Sequence, residues 1–98
     1  MSGGRFNYDQ YRIEQIADSI QEYLDQQGKE IPEDERWGMS STTYEVYPEA
    51  IQARMKEAVA ILRRAYVYAH RIDWYLSGDD GDETFLKRLN EELEALKP

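Results

Sequence analysis

Hydrophobic positions recur with helical periods over most of this 98-residue chain. Between Tyr8 and Gln27 the apolar residues fall at steps of three and four, which places them on one side of a helix. Asn7 and Gln10 have the spacing of a capping box, and Gly28 stands where a helix commonly ends in a left-handed residue. The apolar stripe consists of Ile13, Ile16, Ala17, Ile20, Tyr23 and Leu24. The pattern predicts an amphipathic first helix with one buried side.

The longest regular pattern begins at Pro48 and ends before Gly78. Proline suits the first position of a helix and glycine suits its terminus, so we expect a second helix over about residues 48–77. Apolar residues step alternately by four and three along it, which is a heptad repeat. They are Ile51, Met55, Ala58, Leu62, Ala65, Ala69, Ile72 and Leu76.

The C-terminal half of this helix is apolar on most sides, which is more than one short neighbour can cover. The sequence therefore predicts a homo-oligomer in which another copy covers the central helix. The interface residues that we expect are Ile61, Tyr68, Trp74 and Tyr75.

Residues 28–47 have no sustained helical period and contain Pro32 and Gly38, so we expect a long loop there, with Trp37 as one of its anchors. A third helix should begin after the Gly-Asp-Asp-Gly-Asp-Glu run at residues 78–83, end at about Leu96 and fold back antiparallel after a short turn. Its cap is expected from Asp80 and Glu83 at capping-box spacing, or from Asp82. The predicted fold is an all-α three-helix up-down bundle formed by one domain, residues 1–98, with residues 1–6 as a flexible N-terminal arm.

Composition narrows the possible functions. The chain carries 20 acidic and 12 basic residues, no cysteine and a single histidine. Without cysteine there is no disulfide framework or thiolate nucleophile, and the lone His70 has no Gly-x-Ser-x-Gly partner motif, so we expect no enzyme, no catalytic residue and no cofactor. The acidic run 79–83 lacks EF-hand spacing, so no metal site is predicted. Because the sequence has no long apolar stretch, we expect neither secretion nor association with a membrane.

The charges are unevenly distributed along the chain. Residues 51–78 carry five basic and two acidic residues, while the rest of the chain is acidic. Arginines beside tyrosine and tryptophan offer forked donors for phosphate and flat faces for a base. Equally, these arginines could pair with the acidic helices or with another copy. The candidate ligand residues are Arg5, Tyr8, Arg63, Arg64 and Arg71. Duplex nucleic acid is not expected as a partner, because the acidic remainder would repel it.

Two stretches carry a resemblance: Ser2-Gly3-Gly4-Arg5-Phe6-Asn7-Tyr8, and the segment from Arg71 to Gly81 followed by Phe85-Leu86-Lys87-Arg88-Leu89. They resemble a family of small proteins of bacteriophages and integrated mobile elements that begin Ser-Gly-Gly-x-Phe-Asn-Tyr. The resemblance implies the cytoplasm of a bacterial host and a role against host defence, and it supplies no site residues. By analogy, some helical phage proteins are oligomers that trap cyclic nucleotide signals.

Three functional hypotheses follow. The first is a non-enzymatic binding protein that sequesters an anionic nucleotide signal, such as a cyclic nucleotide, at a subunit boundary. The second is an acidic protein–protein inhibitor that occludes a host defence or nucleic-acid-binding enzyme through residues such as Glu33, Asp34 and Glu35. The third is a structural or regulatory oligomer.

Overall fold

The computed structural model describes Phe6, residues 8–38 and residues 41–97. These ranges contain three α-helices, α1 (Gln10–Asp25), α2 (Glu49–Leu76) and α3 (Asp82–Ala95), and a short 3-10 helix at Glu33–Glu35. In this part of the chain the only β-type pairing is an isolated antiparallel bridge between Glu30 and Thr43. The all-α class and the long central helix are therefore confirmed. No helix within the described ranges is both long enough and apolar enough to cross a membrane.

α2 begins and ends close to the two residues that predict its termini, Pro48 and Gly78. Pro48 immediately precedes the helix as its N-cap, one position outside the expected first turn. At the other end Gly78 has a φ of +86°. Its N–H donates to the Tyr75 carbonyl at 3.1 Å, and the Asp79 N–H donates to the Trp74 carbonyl at 2.9 Å. This pair of bonds is a Schellman motif, which requires a left-handed residue and therefore favours glycine.

In the described part of the chain, neither shorter helix has a side-chain cap hydrogen bond at its N-cap residue. α1 starts after Asp9 with no side-chain cap hydrogen bond, and Asn7 lies outside the described residues. α3 starts after Gly81, also without a side-chain cap. Asp80, expected to cap α3, instead pairs with Arg71 at 3.3 Å. Hydrogen bonds from a charged guanidinium are stronger than those from a neutral amide, which explains why this carboxylate leaves the helix terminus.

Both shorter helices pack antiparallel against α2. Along α1, Gln10 meets Asp73 near the end of α2, whereas Asp18 meets Arg63 nearer its middle. On α3, the carboxylate of Glu92 pairs with Arg71 of α2. The Cα atoms of α1 and α3 do not approach within 8 Å of each other. The three helices therefore form one open layer with α2 in the centre.

This layer is thin. The molecule measures 54 × 28 × 15 Å. The apolar residues that are buried, among those described, are Ala17, Leu24, Ile31, Val59 and Val67. The accessible surface is 7233 Å², compared with roughly 5,800 Å² for a compact monomer of this mass. The chain thus leaves unusually much surface exposed on its own.

The connection between α1 and α2 folds back on itself. Ile31 donates its N–H to the Thr42 carbonyl at 2.8 Å, and Tyr44 donates to the Lys29 carbonyl at 2.9 Å. Ile31 is 2% exposed, so its side chain anchors this hairpin in the core. Trp37 lies near the tip and is 88% exposed, so the prediction that it anchors the loop is wrong.

Candidate functional site

The four predicted ligand residues that the structure describes do not come together in one place. Arg5 lies outside the described residues. Tyr8 precedes α1, where it stacks on Tyr11 with ring centroids 6.1 Å apart. The three arginines lie on α2, but Arg71 is buried whereas Arg64 is exposed. We therefore describe three neighbouring groups: a buried ionic network, an aromatic cluster and a basic cleft.

The buried ionic network is centred on Arg71, which is 5% exposed. Its Nη1 lies 3.3 Å from Asp80 Oδ2, and its Nε lies 3.4 Å from Glu92 Oε2. Its guanidinium carbon also lies 4.9 Å from the centroid of the Trp74 ring. Arg88 approaches the other Asp80 oxygen at 3.7 Å. Arg71 thus joins α2 to α3. Its charge is paired within the chain, which is the alternative to ligand binding that the sequence left open.

A second buried carboxylate fixes the segment before α1. Asp73 is fully buried and accepts hydrogen bonds from the Phe6 N–H and from Gln10 Nε2, both at 3.2 Å. Phe6, placed in the predicted flexible arm, is therefore held on α2, while residues 1–5 lie outside the described part of the chain. The two stretches that carry the sequence resemblance meet at this point.

The aromatic cluster runs along the groove between α1 and α2. Tyr66 stacks on His70 with centroids 5.4 Å apart, and Trp74 follows His70 at 5.3 Å. On the α1 side Tyr11 lies 5.9 Å from Tyr66. Burial, assisted by the carboxylate of Glu14, raises the pKa of Tyr66 to about 12. Burial, assisted by the Arg71 charge, lowers the pKa of His70, so Tyr66 and His70 are both uncharged near neutral pH.

The basic cleft lies between α2 and α3 and has a volume of about 250 Å³. Ala60, Leu93 and Leu96 supply its apolar walls, and three cationic side chains share its lining. The cationic residues are Arg63, Arg64 and Lys97. The predicted residues Arg63 and Arg64 are thus brought to one cavity, and Tyr8 and Arg71 are not among its lining residues.

The three cations of the basic cleft differ in how far they are neutralised. Arg63 pairs with Asp18 on α1 at 3.0 Å, and Lys97, just beyond the end of α3, pairs with Glu94 at 3.1 Å. No carboxylate of the described residues lies within 4.0 Å of the Arg64 guanidinium. Among the residues that the structure describes, the fork of N–H donors of Arg64 therefore has no carboxylate partner. It lies beside an apolar surface, which suits an anion that carries an apolar or aromatic body.

Sequence reasoning missed the half of the basic cleft that α3 contributes. Leu93 and Leu96 were predicted only as part of the third helix, and Lys97 was not singled out. The register of α3 on α2 depends on contacts between distant segments, such as that of Glu92 with Arg71. The pattern within either helix therefore does not place Leu93 and Lys97 beside Arg64.

The predicted interface residues do not all lie on the same side of α2. Ile61, Tyr68 and Tyr75, spaced by seven, are exposed on one side of α2. Trp74 lies on another side, where it contacts His70 and Arg71. Residues seven apart lie on the same side of a helix, whereas Trp74 is only one residue before Tyr75. The position of Trp74 on another side therefore follows from helical geometry.

Comparisons with protein-family models, with curated proteins and with solved structures each found no match. Within Phe6, residues 8–38 and residues 41–97, no group of three or more His, Cys, Asp or Glu side chains could hold a metal ion. The basic cleft is therefore assessed on its own geometry.

Proposed function

We propose that this chain is a non-enzymatic binding protein for a small organic anion, which it holds in the basic cleft between α2 and α3. The anionic group lies on Arg64 and Arg63, and the rest of the ligand packs on Leu93 and Leu96. The observation that carries this proposal is the unneutralised Arg64 guanidinium at the edge of an apolar cavity, in a chain whose net charge is −8.

Within this class, a nucleotide is the leading candidate. A phosphate group accepts two parallel hydrogen bonds from a guanidinium, and a base presents a flat, weakly polar face to leucine side chains. The resemblance of the terminal stretches to phage and mobile-element proteins supports a signalling nucleotide of a bacterial defence response. Sequestration needs only tight binding, so it requires no catalytic group in the cleft.

The first experiment is native mass spectrometry of the protein with a pooled panel of cyclic and linear nucleotides and small aromatic and aliphatic carboxylates. We expect stoichiometric uptake of a nucleotide, followed by a Kd from calorimetry. Uptake of carboxylates alone would retain the cleft and reject the nucleotide. If no member of the panel is bound, the proposed function is wrong.

A matched pair of variants then locates the site. Arg64→Gln removes the unneutralised charge, and we expect affinity to fall by about 10-fold or more, as for the loss of a hydrogen bond between charged groups. Arg54→Gln removes an exposed arginine of the same helix that pairs with Glu57 at 3.0 Å. We expect it to leave the Kd within about two-fold. Equal losses in both variants would show a nonspecific charge effect.

A second candidate function is the acidic inhibitor, for which the exposed Trp37 is the supporting observation. Tryptophan is enriched among the residues that dominate binding energy in interfaces. Here it follows the 3-10 helix Glu33–Glu35, whose three carboxylates are exposed. Under this hypothesis, Trp37→Ala abolishes binding to a host enzyme while Arg64→Gln retains it. The cleft hypothesis predicts the opposite pattern for the anion.

A further inference from the structure

One side of α2 is covered by neither α1 nor α3. We define the open face by Ile61, Leu62, Ala65, Tyr68, Ala69 and Ile72, none of which is buried. The buried valines Val59 and Val67 lie on other sides of the helix. Ile61 is 59% exposed and Tyr68 is 40% exposed. The other four residues of the open face are half-buried, so the heptad pattern of α2 is not enclosed in the core of its own chain.

We infer that this open face binds a second copy of the same chain, with the two α2 helices antiparallel and the two-fold axis near Ala65. A heptad repeat of apolar residues is the pattern by which long helices pair with one another. None of the six residues that define the open face is charged, and the arginines of this segment lie on other sides of α2. Two copies can therefore meet here without burying an ion. Such a face can pair with itself around a two-fold axis.

The dimensions of the layer support a second copy as the occupant. Stable domains have at least two packed layers, whereas this chain forms one layer only 15 Å thick. Its surface exceeds that of a compact monomer by about 1,400 Å², and a standard interface hides about 800 Å² from each partner. A face-to-face pair supplies the missing layer over the 28 residues of α2, which are about 42 Å long.

The charges at the ends of α2 select the antiparallel arrangement. Arg54 lies seven residues before Ile61 and therefore on the same side of the helix. In a parallel pair the two Arg54 side chains would meet each other. In an antiparallel pair centred on Ala65, each Arg54 approaches the C-terminal end of the other α2, beside the exposed Asp79. Cations stabilise the carbonyl end of a helix, so the antiparallel arrangement removes the repulsion.

Sedimentation equilibrium of the full chain tests the association. We expect a dimer whose Kd rises by about 10-fold or more in Ile61→Glu and in Tyr68→Glu, because each dimer would then bury two carboxylates. Both side chains are already exposed, so circular dichroism should show unchanged helix content. Ala53→Glu is the control, since Ala53 is exposed on α2 about a third of a turn from the open face. A monomer at every concentration, a larger assembly, or a dimer unaffected by both variants would overturn the inference.

Disulfide trapping tests the orientation, and the chain contains no cysteine that could interfere. Ala58 and Ile72 are each seven residues from Ala65, on opposite sides of it. In the antiparallel pair we expect a mixture of Ala58→Cys and Ile72→Cys proteins to form a disulfide that joins the two variants. Neither variant alone should cross-link to itself. Self-cross-linking of each variant alone would instead show a parallel pair. The Arg64→Gln protein should remain dimeric, so the basic cleft and the open face can fail independently.

Discussion

Asp80 is the residue whose neutralisation should destabilise this fold most clearly. Its carboxylate is 1% exposed and lies 3.3 Å from the buried Arg71 and 3.7 Å from Arg88. Asp80→Asn keeps the shape of the side chain but removes the negative charge. The variant leaves the Arg71 guanidinium buried with Glu92 as its nearest remaining carboxylate, and Glu92 is 42% exposed.

The expected loss of stability follows from this geometry. Removing one partner of a buried ion pair typically costs about 3–5 kcal/mol. Because Glu92 stays in place and the asparagine oxygen can still accept a hydrogen bond, we expect a loss at the lower end, about 3 kcal/mol. For a domain of this size, 1 kcal/mol corresponds to about 4–8 °C in Tm, so the melting temperature should fall by about 15 °C.

Urea unfolding followed by circular dichroism, at one fixed protein concentration, measures this difference. Glu91→Gln is the matched control, since it makes the equivalent change from carboxylate to amide at an exposed residue. We expect the control to change the unfolding free energy by less than about 0.5 kcal/mol. If the two variants are equally stable, the ionic network does not hold α3 on α2 and our assignment of its role is incorrect.

Three further predictions concern the turn, the aromatic cluster and the hairpin tip. Gly78→Ala forces alanine into the left-handed region and should cost about 1 kcal/mol in urea unfolding, whereas Gly81→Ala, at a φ of −85°, should cost much less. Burial holds the pKa of His70 below its usual value, so the unfolded chain binds the extra proton and unfolding free energy falls as pH drops below about 6.5. The His70→Gln protein should show a smaller fall between about pH 7.5 and pH 5.5, and an identical pH dependence would contradict this reasoning. In acrylamide quenching, a Trp74→Phe protein should show strong quenching of the exposed Trp37, and weak quenching would mean that the hairpin tip is covered.

The helices could be predicted from the sequence because their signals are local. Pro48 and Gly78 bracket α2, and the structure places its ends within one residue of the predicted ones. The helix caps could not be predicted from spacing alone. Asp80 has the right spacing for a cap, but Arg71 is nine residues away in sequence and becomes its partner only when the chain turns.

The hairpin and the basic cleft depend on contacts between distant segments. Backbone hydrogen bonds join residues 28–31 to residues 42–44, and neither segment shows the alternation that normally indicates a strand. For the cleft, Arg63 and Arg64 were recognisable as a basic pair on α2. The contribution of Lys97 required the register of α3, which no single helix encodes.

α3 is attached to the rest of the molecule differently from α1, and this difference has a consequence for ligand binding. α1 buries Ala17 and Leu24, whereas α3 has no fully buried side chain. Its ionic contacts include the half-exposed Glu92 and Arg88, which dissolved salt screens more than a buried pair. Local unfolding should therefore begin at α3, and amide hydrogen exchange there should accelerate with ionic strength while α1 changes little. Since α3 forms one wall of the basic cleft, an anion bound in the cleft would be thermodynamically linked to the folding of this helix and would slow its exchange.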